Sequence, residues 1–256
     1  MYESMGKGRK EARIGLDSEK DLVSLINTNK QFRNSIKRCL NELGFVMQGE
    51  IKSRRDNIKV DIFIEDDVSR IGVSVKSSTK TSFHHIDRRW LGKWEEFLSM
   101  PNDISVILRE AILRIARNSK DYFILQSDRA RVKDFFARHV RNIISEIFTH
   151  GEKDLKLLMV NDKSKDKLYL FRMEEVINFL VANTRDNISF STKGIIRVGD
   201  FVTVQRKSGD SYKITIPKTD WKHPGNQLQF KFSPLRFAEF IEKTNSINLQ
   251  IIHIGG

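Results

Sequence analysis

The sequence predicts an α/β protein with a β-rich C-terminal part, and three patterns support this prediction. Several long segments carry apolar residues three and four positions apart, which is typical of helices. Short segments between them alternate apolar and polar residues, which is typical of strands. Strand-like segments dominate after residue 190. Because the sequence has no repeat and no flexible linker, we expect one domain with an N-terminal arm or helix (1–30), a core (31–190) and a β-rich part (191–256).

The first predicted elements follow the order helix, strand, strand, strand. Phe32, Ile36 and Leu40 recur at helical spacing, which predicts a helix over Gln31–Leu43 that ends at Gly44. The next elements are a strand over Phe45–Ile51, a charged turn over Ser53–Asn57, and strands over Lys59–Ile64 and Ile71–Ser77 joined by an acidic turn over Glu65–Asp67.

The rest of the chain follows the same two periodicities. The predicted helices are His85–Leu98, Asp103–Asn118, Asp128–Thr149, Met173–Ala182 and Pro234–Lys243. The predicted strands are Leu155–Val160, Lys167–Phe171, Ile195–Arg206, Tyr212–Ile216, Gln227–Phe232 and Ile247–Ile254.

The charge indicates a polyanionic partner. Lysine and arginine number 45 against 33 acidic residues, a net charge of +12, and basic side chains that bind phosphates release condensed counterions. The alternatives are an ordinary basic protein and a weakly supported acidic lipid surface, since no segment pairs an apolar stripe with a polybasic face.

Several classes of protein are excluded by composition. A single cysteine, Cys39, excludes an intramolecular disulfide and a multi-cysteine zinc site. No apolar run approaches the roughly 18 residues of a membrane span, and no apolar segment follows the charged start. We therefore expect a soluble, cytoplasmic protein.

The two strands before and after the acidic turn place three polar side chains together. Alternation puts Asp61 on the polar face of the first strand, and Ser74 and Lys76 on the polar face of the second. If the strands pair as a hairpin, these three side chains converge. The apolar residues of both strands then face a core on the other side.

This convergence suits metal-assisted cleavage of a phosphodiester. A carboxylate such as Asp61 can hold Mg²⁺, which needs few protein oxygens and keeps several waters, and the carbonyl of Val75 offers a second oxygen. Lys76 would orient or deprotonate a water for attack on phosphorus. The competing interpretation is a surface hairpin with ordinary solvated polar residues.

A helix, three strands, an aspartate and a Ser/x/Lys triplet together resemble the PD-(D/E)xK nuclease superfamily. The matching residues are Val60-Asp61 and Ser74-Val75-Lys76, with serine where most members have an acid. A subset of type II restriction endonucleases is similar in this respect, and there the missing acid comes from the following helix. The resemblance implies a restriction-endonuclease-like core, a mixed central sheet flanked by helices, in a prokaryotic homodimer.

The position of the missing carboxylate stays open. We select Glu95 as a catalytic residue because a helix returning under the sheet would bring it near Asp61. The alternatives are Asp87, Glu96, Glu42 and Glu50.

Two other aspartates precede similar triplets and are weaker candidates. Asp134, before Asp154-Leu155-Lys156, lies on a predicted amphipathic helix rather than on a paired strand. Asp200, before Ser211-Tyr212-Lys213, is followed by a polar stretch that has no apolar face to bury.

Two regions are predicted to bind DNA. Arg88 and Arg89 lie at the start of a predicted helix, where they would contact phosphates, and the alternative is a solvated basic face. In the β-rich part, arginine and lysine can read guanine edges, while asparagine and glutamine can read adenine edges. The candidate readers there are Gln205, Arg206, Lys207, Asn226 and Gln227, and the alternative is a strand edge kept soluble by charge.

The sequence thus favours a type II restriction enzyme, a Mg²⁺-dependent, sequence-specific endodeoxyribonuclease that cuts double-stranded DNA. Two alternatives remain at this stage. One is a structure-specific repair or recombination nuclease on the same fold, and the other is a DNA-binding protein without catalysis.

Overall fold

The chain folds into two units, each assembled from separate segments. The computed structural model describes residues 7–55, 60–184, 186–208 and 215–254, with side chains from Ser18 onward. The first unit combines Met1–Ser82, Thr149–Val176 and Pro234–Gly256, and the second combines Phe83–Phe148 and Ile177–Ser233. We expected consecutive parts with boundaries at residues 30 and 190. The two units are instead each made of segments that are far apart in the sequence.

The chain consists of runs of helices and runs of strands, and the mixed α/β class is as predicted. The helices are α1 (Lys7–Thr28), α2 (Lys30–Glu42), α3 (Leu91–Phe97), α4 (Asn102–Arg117), α5 (Arg129–Thr149), α6 (Met173–Thr184) and α7 (Pro234–Thr244), with a 3-10 turn at Gln126–Asp128. The strands are β1 (Lys52–Arg55), β2 (Ile62–Glu65), β3 (Arg70–Ser78), β4 (His84–Arg89), β5 (Leu155–Asp162), β6 (Lys167–Arg172), β7 (Ile188–Phe190), β8 (Ile196–Val198), β9 (Val202–Arg206), β10 (Leu228–Phe232) and β11 (Gln250–His253). None of the helices in the described part of the chain is long and apolar enough to cross a membrane.

The first unit is built on a six-stranded mixed sheet in the order β1-β2-β3-β5-β6-β11. The strands β3 and β5 are parallel, and the other neighbours are antiparallel. One face packs against α1 and α2, where Leu22, Ile36 and Val73 share a buried core. The helix α7 contacts β3 and β5 and packs Phe237 on Phe171, so helices contribute to the core together with the sheet.

The N-terminal segment forms a long helix that joins this core. Leu22 and Ile26 of α1 are fully buried. Asn29 then ends the helical run and caps α2, because its side chain accepts a hydrogen bond from the backbone N–H of Phe32 at 3.0 Å. The segment predicted as an arm or helix is therefore a helix with a buried face.

The second unit contains a five-stranded antiparallel sheet in the order β4-β10-β9-β8-β7. Its strands alternate buried apolar residues with polar ones, and Phe230 of β10 packs against Trp94 of α3 with ring centroids 4.8 Å apart. Phe232 packs edge-on against Phe148 of α5. This aromatic layer fixes β10 between β4 and β9.

Several predicted elements are wrong. The segment predicted as a helix over His85–Leu98 is the strand β4 followed by α3, and Ser53–Arg55 of the predicted charged turn belong to β1. The predicted strand Phe45–Ile51 is irregular. For β4 and β1, pairing with another strand, β10 and β2 respectively, decides the local conformation. The prediction for Tyr212–Ile216 falls mostly outside the described residues.

Candidate active site

The β2–β3 hairpin opens where the candidate site begins. Its ladder runs from Glu65 opposite Arg70 to Ile62 opposite Val73. The backbone N–H of Asp61 still donates to the carbonyl of Val73 at 3.1 Å. The next N–H on that edge of β3, Val75, donates instead to Oδ2 of Asp61 at 2.7 Å. A side chain thus replaces a strand as partner of β3.

Ser74 and Lys76 complete the Asp61 cluster, defined here as Asp61, Ser74, Val75 and Lys76. The Ser74 hydroxyl and the Lys76 ammonium each lie 3.2 Å from Oδ2 of Asp61. The ammonium also donates to Oγ of Ser74 at 2.8 Å and to the carbonyl of Val75 at 3.2 Å. The predicted convergence of Asp61, Ser74 and Lys76 is therefore present, although their chemical roles stay predictions.

Glu19 of α1 also interacts electrostatically with this cluster. Burial raises the pKa of Glu19, and the negative charge of Asp61 raises it further, while Arg55 and Lys76 lower it. The Arg55 guanidinium donates from Nη2 to Oε2 of Glu19 at 3.2 Å. Two carboxylates and two cations thus act on one another, which is the arrangement expected of a catalytic or metal-binding site.

The position of Glu19 follows from how α1 is fixed to β1. Asn27 donates to the carbonyl of Ser53 and accepts from its N–H, both at 2.8 Å. About two turns earlier in α1, Glu19 contacts Arg55 at the end of β1. Sequence reasoning missed Glu19, but the signal was present, because Glu19 precedes Leu22 and Ile26 at spacings that share one helix face.

The acids considered from the sequence have other partners or positions. Glu95 lies in the second unit, where its Oε1 accepts from Ser105 and from Arg109. Asp87 is buried and pairs with Arg89, Glu96 pairs with Lys93, Glu50 pairs with Arg33, and Glu42 is exposed at the end of α2. Glu19, in contrast, interacts electrostatically with Asp61.

The donor atoms of the site suit a small, hard cation. Oδ2 of Asp61, Oγ of Ser74 and the carbonyl of Val75 all lie within 3.2 Å of one ammonium nitrogen, so three oxygens already converge on a positive charge. Within the described residues, no three acidic, histidine or cysteine side chains meet to form a metal site. Carboxylate, hydroxyl and carbonyl oxygens are ligand types that hard divalent cations bind.

The polar face of the second sheet carries a row of three long side chains. Gln229 of β10 lies opposite Arg88 of β4 on one side and opposite Gln205 of β9 on the other. Residues paired directly across antiparallel strands share a face. Arg88 is exposed and Gln205 partly exposed, but Gln229 between them is buried, as are the alternate residues Asp87, Phe230 and Val204. Gln229 was not among the predicted residues.

Two predicted DNA-binding residues, Arg206 and Asn226, are buried against each other. Nε of Arg206 donates to Oδ1 of Asn226 at 2.8 Å. The Asn226 amide donates in turn to the carbonyls of Lys218 and Asp220, at 2.9 and 2.7 Å. This pair holds the loop before β10 onto the end of β9.

The remaining predicted DNA-binding residues differ in how firmly other residues hold their side chains. Arg89 is held by Asp87 and Glu146, at 3.0 and 2.6 Å. Lys207 donates from Nζ to the carbonyl of Pro224 at 3.2 Å, and burial together with the positive charge of Arg88 lowers its pKa. Gln227 is partly exposed and accepts from the Lys207 N–H through its backbone. Arg88 and Lys207 are thus two like charges held near each other.

Comparison with known proteins identifies the chain as a restriction endonuclease. The structure is similar to that of restriction endonuclease MspI, crystallised in complex with its cognate DNA, with a TM-score of 0.59 and 14% identity over 88% of this chain and 91% of that chain. The family model of the R.HinP1I restriction endonuclease matches residues 43–237. The chain belongs to the R.HinP1I restriction endonuclease family.

Membership of this family confirms the predicted activity. The chain is a type II restriction enzyme, a sequence-specific nuclease that hydrolyses DNA, and the restriction-endonuclease-like fold is as predicted. A search of the curated proteins gave no match. The matched region contains the Asp61 cluster and the Arg88–Gln229–Gln205 row, while Glu19 precedes it.

Proposed function

We propose that the Asp61 cluster, together with Glu19, hydrolyses phosphodiester bonds of double-stranded DNA with Mg²⁺, as a serine variant of the PD-(D/E)xK site. The observation that carries this proposal is the gathering of the Val75 N–H, the Ser74 hydroxyl and the Lys76 ammonium on Oδ2 of Asp61. Such an array has a defined geometry and is only partly buried, with the Asp61 side chain 26% exposed. It can therefore meet a substrate without rebuilding the fold.

Asp61, the carbonyl of Val75 and Glu19 are the residues that would hold the metal. Bound there, Mg²⁺ would lower the pKa of a coordinated water and neutralise charge that develops on the phosphate. The raised pKa of Glu19 supports its role, since burial and Asp61 both make its ionised form unfavourable without a further cation. Glu19 thereby supplies the second carboxylate, in place of the acid absent at Ser74 and of the predicted Glu95.

Lys76 and Ser74 act on the attacking water. The ammonium already donates to three oxygens of the cluster, so its position is fixed to within one hydrogen-bond length. Because an ammonium has three N–H donors, Lys76 would give up one of these hydrogen bonds to orient the water, while Ser74 holds Lys76 and Asp61 at their separation. During hydrolysis a bond forms between the water oxygen and phosphorus, one P–O ester bond breaks, and the leaving oxygen ends with a proton.

Cleavage of supercoiled plasmid DNA tests this assignment. With Mg²⁺ the wild-type chain should give discrete fragments, and EDTA should leave the plasmid intact. Asp61→Asn and Lys76→Ala should each slow cleavage by at least about 100-fold, because each removes a charged group from the reacting centre. DNA binding in a gel-shift assay should persist.

Matched controls exist on the same hairpin. Asp67 lies in the turn after β2 and Lys80 follows β3, and both are exposed. Asp67→Asn and Lys80→Ala should cleave within about threefold of wild type, as ordinary surface substitutions do. Full cleavage by Asp61→Asn, or equal loss in the controls, would refute the site.

For DNA reading we propose two kinds of residue. Arg88, Gln205, Lys207 and Gln227 would contact DNA directly, because Arg88 and Lys207 hold two like charges near the polar row and an anion would relieve their repulsion. Arg89, Arg206 and Asn226 would act through the loop and strands that they hold. Binding by alanine variants to cut and uncut sequences separates the two kinds.

A homodimer is proposed for the active enzyme, because a two-fold symmetric protein matches a palindromic site. Light scattering behind a sizing column, with and without a cleavable duplex, measures the mass. A monomer under both conditions, with normal cleavage kinetics of first order in protein, would refute the proposal.

A further inference from the structure

Arg55 is a cation beside the Asp61 cluster that the roles above leave without a function. It is the last residue of β1 and lies opposite Ile62, the residue after Asp61. Its side chain is 28% exposed and contacts Glu19 through Nη2 at 3.2 Å. Arg55 is therefore placed within the site by both its strand register and its ion pair.

One hydrogen-bond donor of Arg55 is unmatched. A guanidinium has five N–H donors in a fixed fork, and the Arg55 Nε is buried with no hydrogen-bond partner among the described residues. Such an unmet donor in a native site calls for an explanation. The side chain as a whole is 28% exposed, so a ligand oxygen that enters the site beside Glu19 would meet its guanidinium.

The neighbouring Arg54 is placed differently from Arg55 and does not face the Asp61 cluster. Arg54 points to the opposite face of β1, where its guanidinium stacks on Phe63 at 4.9 Å and pairs with the exposed Glu65 at 3.3 Å. Arg54 thus has an apolar surface and a carboxylate partner outside the cluster. Arg55 has one carboxylate, Glu19, which itself interacts with Asp61 and Lys76.

We infer that Arg55 is a further catalytic residue, whose guanidinium binds a non-bridging oxygen of the scissile phosphodiester. The inference rests on the proposed function of the Asp61 cluster. A guanidinium stays charged at any working pH and matches two phosphate oxygens with two parallel N–H groups. Lys76 and Arg55 then have different tasks, since Lys76 orients the water and Arg55 stabilises charge on the phosphate.

The alternative is that Arg55 and Glu19 form a structural ion pair only. A structural pair would change stability and would affect cleavage only as far as the fold is weakened. A phosphate contact would change the rate of the chemical step more than DNA affinity or stability. These two outcomes are measurable on the same variants.

Single-turnover cleavage of one duplex tests the inference, with the sequence of the duplex taken from the fragment ends that the wild type produces. Arg55→Ala should slow cleavage by about 100-fold, the loss typical of a donor to developing charge. Its dissociation constant for the duplex and its melting temperature should stay within about threefold and a few degrees of wild type. Arg55→Lys should recover part of the rate, because it keeps the charge and loses the fork.

The matched control is Arg54→Ala, which removes the same side chain from the neighbouring position. It should cleave within about threefold of wild type. Guanidinium chloride at millimolar concentration should restore at least about a tenfold rate to Arg55→Ala and nothing to Arg54→Ala, because a free guanidinium can occupy the vacated position.

Wild-type cleavage by Arg55→Ala, or a rate that falls only in step with affinity or melting temperature and shows no guanidinium recovery, overturns the inference. If Arg55→Ala unfolds, Arg55→Lys carries the test, and a folded lysine variant with the wild-type rate overturns it. Asp61→Asn in the same assay distinguishes a failure of the proposed Asp61 site from a failure of the role given to Arg55. Cleavage by Asp61→Asn would refute the proposed site, whereas its inactivity beside a fully active Arg55→Ala refutes the role of Arg55 alone.

Discussion

The two sheets of the molecule present polar side chains in opposite ways. In the first, charged and polar groups gather where strand pairing stops, because the side chain of Asp61 takes the place of a strand beside Val75. In the second, Arg88, Gln229 and Gln205 lie in a row across three strands whose pairing continues. The interrupted edge concentrates charge for chemistry, while the continuous face spreads donors and acceptors over a surface.

The two sets also differ in which elements supply their groups. At the interrupted edge, Glu19 from α1 and Lys76 from β3 act on the same carboxylate, that of Asp61. A row on a continuous sheet faces one direction only. Residues just beyond it, such as Arg206 and Asn226, serve the fold of the loop instead.

The largest effect is expected for Glu19→Gln at the interrupted edge. The variant should slow cleavage by about 100-fold, because the site loses its second carboxylate, while Glu65→Gln on β2 serves as the matched control with near wild-type cleavage. Full cleavage by Glu19→Gln would remove Glu19 from the site.

The same variant has a pH dependence of stability whose sign follows from the raised pKa of Glu19. The stability that the carboxyl contributes is present below its ordinary pKa and is lost as the pH rises through the raised folded value. Glutamine cannot ionise, so Glu19→Gln should gain stability relative to wild type between about pH 4 and pH 7 in the absence of metal. Thermal melting at both pH values measures this, and a loss relative to wild type as the pH rises would contradict it.

A smaller effect on cleavage is expected for Gly72→Ala. This substitution tests whether close packing of β3 against its neighbours positions Ser74 and Lys76. A Cβ at Gly72 would lie 2.7 Å from the carbonyl of Asp154 and 3.1 Å from Val60, at the point where the β3–β5 register shifts. We expect a loss of about 1–3 kcal/mol in the free energy of unfolding by urea. Cleavage should also fall, since β3 carries Ser74 and Lys76.

Gly92→Ala is the control for this substitution, because Gly92 lies in α3 and a Cβ there would make only an ordinary contact with Glu95 at 3.6 Å. Alanine in a helix should be neutral or stabilising by up to about 1 kcal/mol. If both variants lose the same free energy of unfolding, the close approach of Gly72 to Asp154 is not the cause of the destabilisation.

In the second sheet, Gln205→Ala and Asn226→Ala should separate reading from support. Gln205→Ala should weaken binding to the cleaved sequence by about 1–3 kcal/mol with little change for other sequences, at unchanged stability. Asn226→Ala should lower stability by about 1–3 kcal/mol, because Nε of Arg206 and two loop carbonyls lose a buried partner. Uniform binding loss for Gln205→Ala would reduce it to a non-specific contact.

The smallest effect on cleavage at neutral pH is expected for Asp66→Asn. Asp66 lies in the turn of the β2–β3 hairpin. Hydrogen bonds from the backbone N–H groups of Ser69 and Val68, and then from Gly49 and Gln48, lower the pKa of Asp66 to about 2. Its contribution to stability is therefore present above the ordinary aspartate pKa and is lost as the pH falls through about 2.

The melting temperatures of wild type and Asp66→Asn should differ at pH 7 and converge near pH 2, with cleavage close to wild type because the turn lies outside the cluster. A difference that grows as the pH falls would contradict the assignment of these hydrogen bonds.

The sequence predicted the convergence of Asp61, Ser74 and Lys76 because its pattern is local. Alternation in Lys59–Ile64 and Ile71–Ser77 puts Asp61, Ser74 and Lys76 on one face, and the acidic turn between them sets the register. The helices α2, α4 and α5 were predicted for the same reason, since their apolar spacing reports one buried face.

Only the tertiary structure decided which distant groups join these local patterns. The partner of a strand or a carboxylate lies far along the chain, as with β4 and β10, or Glu19 and Asp61, and no local periodicity encodes that pairing. The same holds for Arg206 and Asn226, whose types fit DNA reading but whose mutual burial depends on how a loop closes. Residue types and spacing determined the chemistry available to this protein, and long-range packing decided which groups share a site, because burial and hydrogen bonding depend on neighbours in space.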